Sequence, residues 1–554
     1  MKKTALIILL TAMTALTGFG QSAYDAWRFS QNEYEGTARS VAMGNAFTAL
    51  GGDLGSISIN PAGSSVAGYS QFTITPGLSI SSATSKGFAP YPGADLTYFD
   101  KEYSSSKTTF GFPNLGMTLH VDTGRTSGLK SFTVGFVANR TMNWCENVFA
   151  KGTNSTTSFA GAAAYDVSAN MADYNRPGNL PIGEPRYSYK DLIADNAYDY
   201  YSPWKDIVAY RSGITSTYDA DGEQFIGATE ILLGNGNIQQ GGPLMQTYGR
   251  NVDGYKTDYI FNIGANISDF VYLGFNLGFN SISYNESMYF NEEAIDEADF
   301  ENIYSDADGN EETAYFKSLS YKHNYSANGS GVYGKFGIIV TPGYGLRIGA
   351  AIQTPTAISI DERWRESAET NFSKSAFSNN ESSPIGEYSY SFTSPFRANF
   401  GIAYTLGNIG LISADYEVVD YGSMKYSIDW NNMSDADIDY FEMLNEDIRY
   451  NYTAGHMFRL GAEFKPHSTL AVRAGYNFAS SAQTRHNLSF GVGYISKGSF
   501  FADLACRYNF ANNEYYMPYS DYQYDDAGNV TNYSPKLLIR NSTWKVLLTL
   551  GWRF

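Results

Sequence analysis

Residues 541–554 read NSTWKVLLTLGWRF, and this stretch decides the fold. Val546, Leu548, Leu550, Trp552 and Phe554 share one face of an extended chain; Lys545, Leu547, Thr549, Gly551 and Arg553 share the other. A strand between lipid and a lumen alternates in this way over ~9–11 residues. The same period of two recurs upstream. It runs through Phe132, Val134 and Phe136, through Tyr259, Phe261 and Ile263, and through Val271, Leu273, Phe275 and Leu277. Leu346/Ile348/Ala350, Phe396/Ala398/Phe400, Phe458/Leu460/Ala462, Leu470/Val472/Ala474, Leu488/Phe490/Val492 and Phe500/Ala502/Leu504 continue it.

The full reading is all-β: an antiparallel transmembrane barrel of fourteen strands. They begin near residues 69, 109, 130, 256, 270, 328, 344, 390, 408, 452, 468, 484, 498 and 541. An even number of strands closes a barrel and removes exposed edges. Connections alternate in length. Short links at 121–129, Ser268–Phe270, TPGYG, LGN, KPHS and SKG interleave with long ones near 83–108, 143–255, 287–327, 361–389, 430–451 and 512–540. Short periplasmic turns and long outer loops have this pattern. Alternation is poorest in the strands near 69, 109 and 408.

Composition agrees. The 554 residues include 45 Tyr, 35 Phe and 54 Gly, and only 17% are charged. After the N-terminus no run approaches the ~18 apolar residues of a helical span. MKKTALIILLTAMTALTGFG has the charged, apolar and small-residue regions of a secretory signal peptide, with cleavage expected between Gly20 and Tyr24. The expected division is residues 1–23 as signal peptide, 24–68 as a hatch containing short helices, and 69–554 as barrel. The net charge of −18 argues against nucleic acid as a partner. Cys145 and Cys506 lie far apart in sequence, and a disulfide between them is the minority reading.

On the face opposite the apolar sets stand Gly135, Gly264, Gly274, Gly278, Gly337, Gly349, Gly401, Gly461, Gly475, Gly491, Gly493 and Gly551. Such positions leave room beside the wall for a plug or a cargo, or relieve curvature. The cations Lys335, Arg347, Arg397, Arg459, Arg473, Arg507 and Arg553 share that face with Glu463 and Asp503. Inward placement is the ordinary fate of a barrel charge. The cationic excess points to Lys335, Arg397, Arg459, Arg473 and Arg507 as candidate contacts for an anionic cargo group. Counting from the KPHS turn places Arg459 nearly opposite Arg473, with a cargo carboxylate or Asp53 between them.

Residues 37–63, TARSVAMGNAFTALGGDLGSISINPAG, are rich in small side chains and lack alternation. A short helix is expected over Ser40–Leu50, ended by Gly51-Gly52, with a turn at Asn60-Pro61. Here the sequence resembles the FadL/TodX family of outer-membrane transporters for long-chain fatty acids and aromatic hydrocarbons. Gly44, Ala46 and Phe47, then Asn60, Pro61 and Ala62, match its hatch, in which Asp53 also falls. GSGVYGKFGIIVTPGYGLRIGAAIQTP, SPFRANFGIAY, ISADYEVVDYGSMKY and FRLGAEFKPHSTLAVRAGYNF follow in the family's order. The resemblance implies a hatched barrel that passes hydrophobic molecules passively and releases them sideways through the wall. Terminal Phe554 resembles the signal read by the barrel assembly machinery. The expected setting is the Gram-negative outer membrane and its lipid, with the protein a monomer. A polar porin or a surface adhesin is the alternative.

No cofactor, metal or catalytic constellation is expected. The five histidines lack ligand spacing, GGDLGS lacks the serine of an esterase motif, and no Gly-x-Ser-x-Gly elbow stands out. The acidic runs at 219–222, 306–309 and 525–529 read as turns, and YDYYSPW (198–204) as a packed loop or a greasy docking patch.

Overall fold

The computed structural model describes residues 22–89, 98–176, 186–305 except 202 and 235, 311–520 except 432 and 497, 523–524, 530–532 and 534–554. Residues 1–21 of the expected signal peptide lie outside the described residues, as do the acidic runs at 306–309 and 525–529; its last two residues, Ser22 and Ala23, open the first helix.

Fourteen antiparallel strands close into a barrel. They are β1 (Gln71–Gly87), β2 (Tyr103–Asp122), β3 (Leu129–Asn154), β4 (Leu244–Ile267) and β5 (Val271–Ala294). Next come β6 (Glu311–Gly343), the two-part β7 (Leu346–Gln353 and Ala357–Phe372) and the two-part β8 (Gly386–Thr393 and Arg397–Leu406). Then follow β9 (Gly410–Asp420), β10 (Ala454–His467), β11 (Leu470–Ser480), β12 (Thr484–Ile495), β13 (Phe500–Tyr516) and β14 (Leu537–Arg553). Closure is made by β1 on β14, from Gln71 opposite Arg553 to Gly87 opposite Leu537. Phe554 finishes the seam by exchanging two backbone hydrogen bonds with Ser70.

The alternating apolar sets face outward. Phe261 is 54% exposed and Ile263 59%, and Phe275, Phe400, Phe458, Leu460, Phe490 and Val492 are similarly bare. A soluble protein does not carry an apolar belt of this extent. In lipid it is the expected surface, and the closed ladder satisfies the backbone that water cannot reach.

Several strands run further outward than the alternation predicts. Residues 143–154 and 244–255, expected as loop, continue β3 and β4 as a paired ladder. Beyond the lipid the outward face no longer has to be apolar, so the period fades while pairing continues. The described residues of the true excursion between them, 155–243, fold over the outer mouth with helices α3 (Phe159–Tyr174), α4 (Tyr189–Ile193), α5 (Ala197–Tyr200) and α6 (Trp204–Arg211). The YDYYSPW run is packed there: Trp204 meets Trp364, and the Tyr198 hydroxyl donates to Glu381. Asp219 accepts the backbone N–H groups of Glu223 and Gln224, which is turn chemistry. Helix α7 (Asp435–Asn451) covers the other side of the mouth. Cys145 and Cys506 are both free.

The N-terminal segment lies inside the barrel. Helix α1 (Ala23–Ser30) starts on Ser22, whose hydroxyl accepts the N–H of Asp25, and α2 (Ala38–Ala42) starts on Thr37 in the same way. The expected helix over Ser40–Leu50 is shorter than predicted. Gly44 and Asn45 both take positive φ, 62° and 59°, and turn the chain after one and a half turns. Two 3₁₀ turns follow, Gly55–Ser58 and Pro61–Val66, the second capped by the Asn60 side chain.

Inward-facing wall glycines seat this segment. A Cβ on Gly349 would lie 2.1 Å from the Thr48 carbonyl, and one on Gly475 2.1 Å from the Gly44 nitrogen. Gly274, Gly337 and Gly461 meet Pro61, Asn60 and Met43 equally closely. Replacing Gly349 or Gly475 by Val should overpack the seat by ~1–3 kcal/mol or more. We expect the barrel to remain resistant to dodecyl sulfate at room temperature while ion conductance in planar bilayers rises. Wild-type conductance in both variants would contradict the seat.

A second test concerns the outer cap. Asp206 is buried in α6, and burial lifts its carboxyl to about 7 despite Lys205 and its bond from Asn170. A raised acid favours the folded cap below that pH, and the gain is lost as pH rises through about 7. Proteolytic cleavage within 155–243 should therefore be faster at alkaline than at mildly acidic pH, and Asp206→Asn should flatten that difference.

Candidate functional site: hatch, lumen and a slit in the wall

The site begins with how the hatch is fastened. Thr48 donates its backbone N–H and its hydroxyl to Asp415 of β9, both at 2.7 Å. The Asn60 amide donates to the Thr48 carbonyl at 2.6 Å and to the Ile338 carbonyl of β6 at 3.1 Å. Pro61 fills the space left by Gly274 and Gly337, while Ala62 packs with Tyr272 and Ile339. Gly44 lies against the backbones of Leu460 and Tyr476, and Phe47 is buried under the Arg39 guanidinium. Asp53 accepts the Thr37 hydroxyl at 2.6 Å and the Gly55 N–H at 2.8 Å.

The inward cations form three groups. In the first, Glu417 lies between Arg397, at 2.9 Å, and Arg459. Arg397 also donates to the Ser30 carbonyl at the end of α1, and Lys335 donates to the Ser58 carbonyl at 2.8 Å. In the second, Glu463 lies between hatch Arg39, at 3.0 Å, and Arg473, at 2.7 Å; Arg473 also meets Asp503 at 2.5 Å. In the third, hatch Glu33 meets Arg507 at 2.9 Å and Lys545 at 3.3 Å, and Glu35 meets Lys545.

The five candidate cargo cations therefore all face the lumen, but each already has a partner. The expected opposition of Arg459 and Arg473 does not occur. Arg473 stands opposite Glu463, and Arg459 stands opposite Asn477, four residues further out on β10. Asp53 bonds within the hatch rather than between them. The alternation does not single out Glu33, Glu35, Arg39, Asp415 or Glu417, and it places Lys545 on the inner face without marking it as a contact. Asp415 and Glu417 do alternate inward along β9, but its weak outer face hid the period. Glu33 and Glu35 flank Tyr34 in an extended piece whose partners only the fold supplies.

Above the hatch the lumen changes character. Trp27 and Phe29 of α1 pack with Tyr284, Tyr325, Ile360, Tyr390, Phe392, Tyr426 and Phe441. Beside this aromatic cluster lies a cavity of ≈ 230 Å³. Its lining combines the rings of Tyr24, Trp27, Trp144 and Tyr284 with the amides Asn477, Asn487 and Asn509 and with charged groups that include Arg28, Glu146, Arg250 and Arg485.

The wall beside that cavity is not continuous. β2 and β3 pair only from Asn114 opposite Asn139 down to Asp122 opposite Ser131. Above that level β2 still pairs with β1 up to Tyr103, and β3 with β4 up to Asn154, but not with each other. Pro113 lacks an N–H, and the β1–β2 register slips beside it between Thr75 and Gly77. The β3–β4 register slips between Arg140 and Met142. At the kink the hatch takes the place of β2: Glu33 N–H donates to the Thr141 carbonyl at 2.6 Å and Glu35 N–H to the Arg140 carbonyl at 2.9 Å. Higher up only side chains cross the slit, such as Ser105 to the Asn147 carbonyl. Eight residue steps above Asp122, at ~3.3 Å each and ~40° tilt, put the base of the slit roughly 20 Å above the periplasmic turn. Phe110 and Phe112 point outward beside it.

Closed pairing, a lipid-facing apolar belt and an N-terminal segment fastened within the lumen define a hatched transmembrane β-barrel. No family model and no curated protein matches this chain. Among solved structures it is similar to the toluene transporter TbuX of Ralstonia pickettii, at 13% identity over 94% of this chain and 98% of that one, with TM-score 0.43. It is similar to the toluene transporter TodX of Pseudomonas putida, at 11% identity over 95% and 100%, TM-score 0.46. It is also similar to a FadL homologue of Pseudomonas aeruginosa, at 10% identity over 95% and 99%, TM-score 0.48. These likenesses are distant, and the class rests on the pairing and the hatch contacts.

Glu33 and Glu35 give the test of the fastening. Burial opposes ionisation of Glu33, but Lys545, Arg507 and Arg485 outweigh it and hold the carboxyl at about 2. A depressed acid stabilises above its unfolded value of 4.5, and the gain is lost as pH falls towards about 2. The hatch should therefore stay protected from protease under mild acid. The double change Glu33→Gln, Glu35→Gln leaves two cations buried without counter-charge, a loss of ~3–5 kcal/mol for such a pair. Cleavage within residues 22–36 should appear in that variant at neutral pH. Continued full protection would show that the ion pairs do not hold the hatch.

Proposed function

We propose that this protein carries hydrophobic small molecules passively across the outer membrane of a Gram-negative cell. Cargo is taken from the outer loops into the cavity above the hatch and leaves sideways through the slit between β2 and β3. The observation that carries this reading is the position of that slit. It opens beside a cavity with an aromatic side, and at the height of the membrane's outer half. A greasy molecule leaving there enters lipid without crossing water, a route that needs no energy source. The resemblance of the hatch segment to the FadL/TodX family supports the same class of cargo, long-chain fatty acids or aromatic hydrocarbons.

The alternative, an open polar pore, fits the lumen poorly. The hatch fills its lower half, and its upper half is an aromatic cluster. In this reading the buried cations Lys335, Arg397, Arg459, Arg473 and Arg507 serve chiefly to bind hatch and wall together, and of the five Arg397 and Arg507 also line the cavity above.

The slit can be stapled. Cys145 of β3 lies at its edge, with the Thr109 side chain of β2 within hydrogen-bonding reach of the thiol. Thr109→Cys should pair with Cys145 under oxidation. Uptake of a labelled long-chain acid or alkylbenzene by cells should then fall at least about tenfold, as expected of a blocked sole exit, and return on reduction; a tenfold change corresponds to 1.4 kcal/mol. Equal uptake with the staple open and closed would rule out this exit.

A further inference from the structure

Arg140 is the first residue of β3 above the last rung shared with β2. Its guanidinium reaches across the slit and lies flat against Gly111 of β2. A Cβ at Gly111 would stand 2.6 Å from Nη1 and 2.9 Å from Nη2, so only glycine leaves room for it. On its other side the group lies over the Tyr255 ring of β4, 5.1 Å from the centroid. Its Nε is buried and without a hydrogen-bond partner. No carboxylate lies within ion-pair distance of it among the described residues. The contrast with Arg397, Arg459, Arg473 and Arg507 is sharp, since each of those has a counter-charge.

A guanidinium without counter-charge at membrane depth is costly, and its place is normally explained by what it meets. Two neighbours matter here. One is the slit, which Arg140 bridges at its base. The other is the hatch, because the Arg140 carbonyl is held by Glu35 N–H, and Glu33 and Tyr34, which flank that contact, line the cavity. The cavity lining at Glu33–Tyr34 is thus joined through one backbone hydrogen bond to the residue that carries the guanidinium.

We propose that Arg140 is both the gate of the slit and its filter, swinging off Gly111 to pair with the anionic head of a carboxylate-bearing amphiphile and barring cargo without such a head. This rests on the sideways exit proposed above. A charge-assisted hydrogen bond is stronger than a neutral one and is bidentate when the acceptor is a carboxylate. The pairing therefore favours an acid over its ester. Gly111 is part of the device, since any side chain there displaces the guanidinium.

The test uses cells producing the full chain, with uptake of labelled dodecanoate and of its methyl ester measured side by side. Wild-type protein is expected to favour the acid. Arg140→Gln should lower the acid-to-ester ratio about tenfold, the worth of one lost charged hydrogen bond of ~1.5–3 kcal/mol at its lower end. Ester uptake should hold or rise. Arg140→Lys should keep most of the ratio, and Gly111→Val should raise ester uptake with Arg140 intact. Heat-modifiable migration of each variant on gels verifies the folded barrel. An unchanged ratio in Arg140→Gln overturns the filter, including the case where the variant instead loses co-purifying phospholipid, which would assign Arg140 to a lipid phosphate. The Thr109→Cys staple separates the two layers. If the staple blocks uptake and the ratio does not move, the exit stands and the filter falls. If the staple does not block uptake, the exit falls and takes the filter with it.

Discussion

The backbone in hydrocarbon must be hydrogen-bonded by protein, because lipid offers it no partner. That constraint produces the closed ladder from β1 round to β14, and it makes the break between β2 and β3 meaningful. Leaving residues 103–113 of β2 without a β3 partner would be expensive if the edges faced lipid bare. Here the cost is reduced locally. The hatch supplies two N–H donors to β3 at the kink, Ser105 reaches the Asn147 carbonyl, and Arg140 covers Gly111. These substitutes are side chains and a separate segment, which can move without undoing the barrel. A rung of the ladder cannot.

The same economy governs the charges below. Taking a guanidinium out of water requires a counter-charge nearby. The lumen meets this with shared carboxylates: Glu417 between Arg397 and Arg459, and Glu463 between Arg39 and Arg473. The Glu463 group crosses from hatch to wall through Arg39, as do the pairs of Glu33 and Glu35 with Arg507 and Lys545, so charge neutralisation and hatch retention are one arrangement. The wall glycines complete it by letting the hatch backbone approach to contact distance. The upper lumen, by contrast, carries an aromatic cluster, and the cavity beside it sets rings and charged groups side by side, as where Arg28 lies over Tyr24 and Tyr284. A molecule with a greasy body and a small polar head matches that lining better than a fully polar solute does.

Much of this was legible in the chain. The period of two in segments such as 458–464 and 546–552 follows from lipid on one side and lumen on the other, and it is clear in all of the strands but those near 69, 109 and 408, which the even count and the alternating connection lengths support. The glycines opposite the apolar sets announced something close to the wall, and Gly44, Asn60 and Pro61 marked the segment that fills the space. Where the period failed it did so for physical reasons. β1 and β2 carry Pro76 and Pro113 at the slit, β9 carries two acids inward, and the outer ends of β3 to β6 rise beyond the lipid that enforces alternation.

The sequence by itself determined the class of surface, the number of crossings and the presence of a plug, because each depends on a local pattern repeated along the chain. Which charges meet did not follow from it. Arg459 and Arg473 looked like neighbours on adjacent strands, and the register set them four residues apart, each beside an acid from elsewhere. The gap between β2 and β3 was equally hidden, since the poor alternation near residue 109 marks an irregular strand without saying which neighbour it fails to pair with. Pairing across the barrel and contact with the hatch join residues hundreds of positions apart, such as Glu35 with Lys545. Only the closed tertiary structure brings such residues within reach, and that is where the cavity, the slit and the place of Arg140 across it are made.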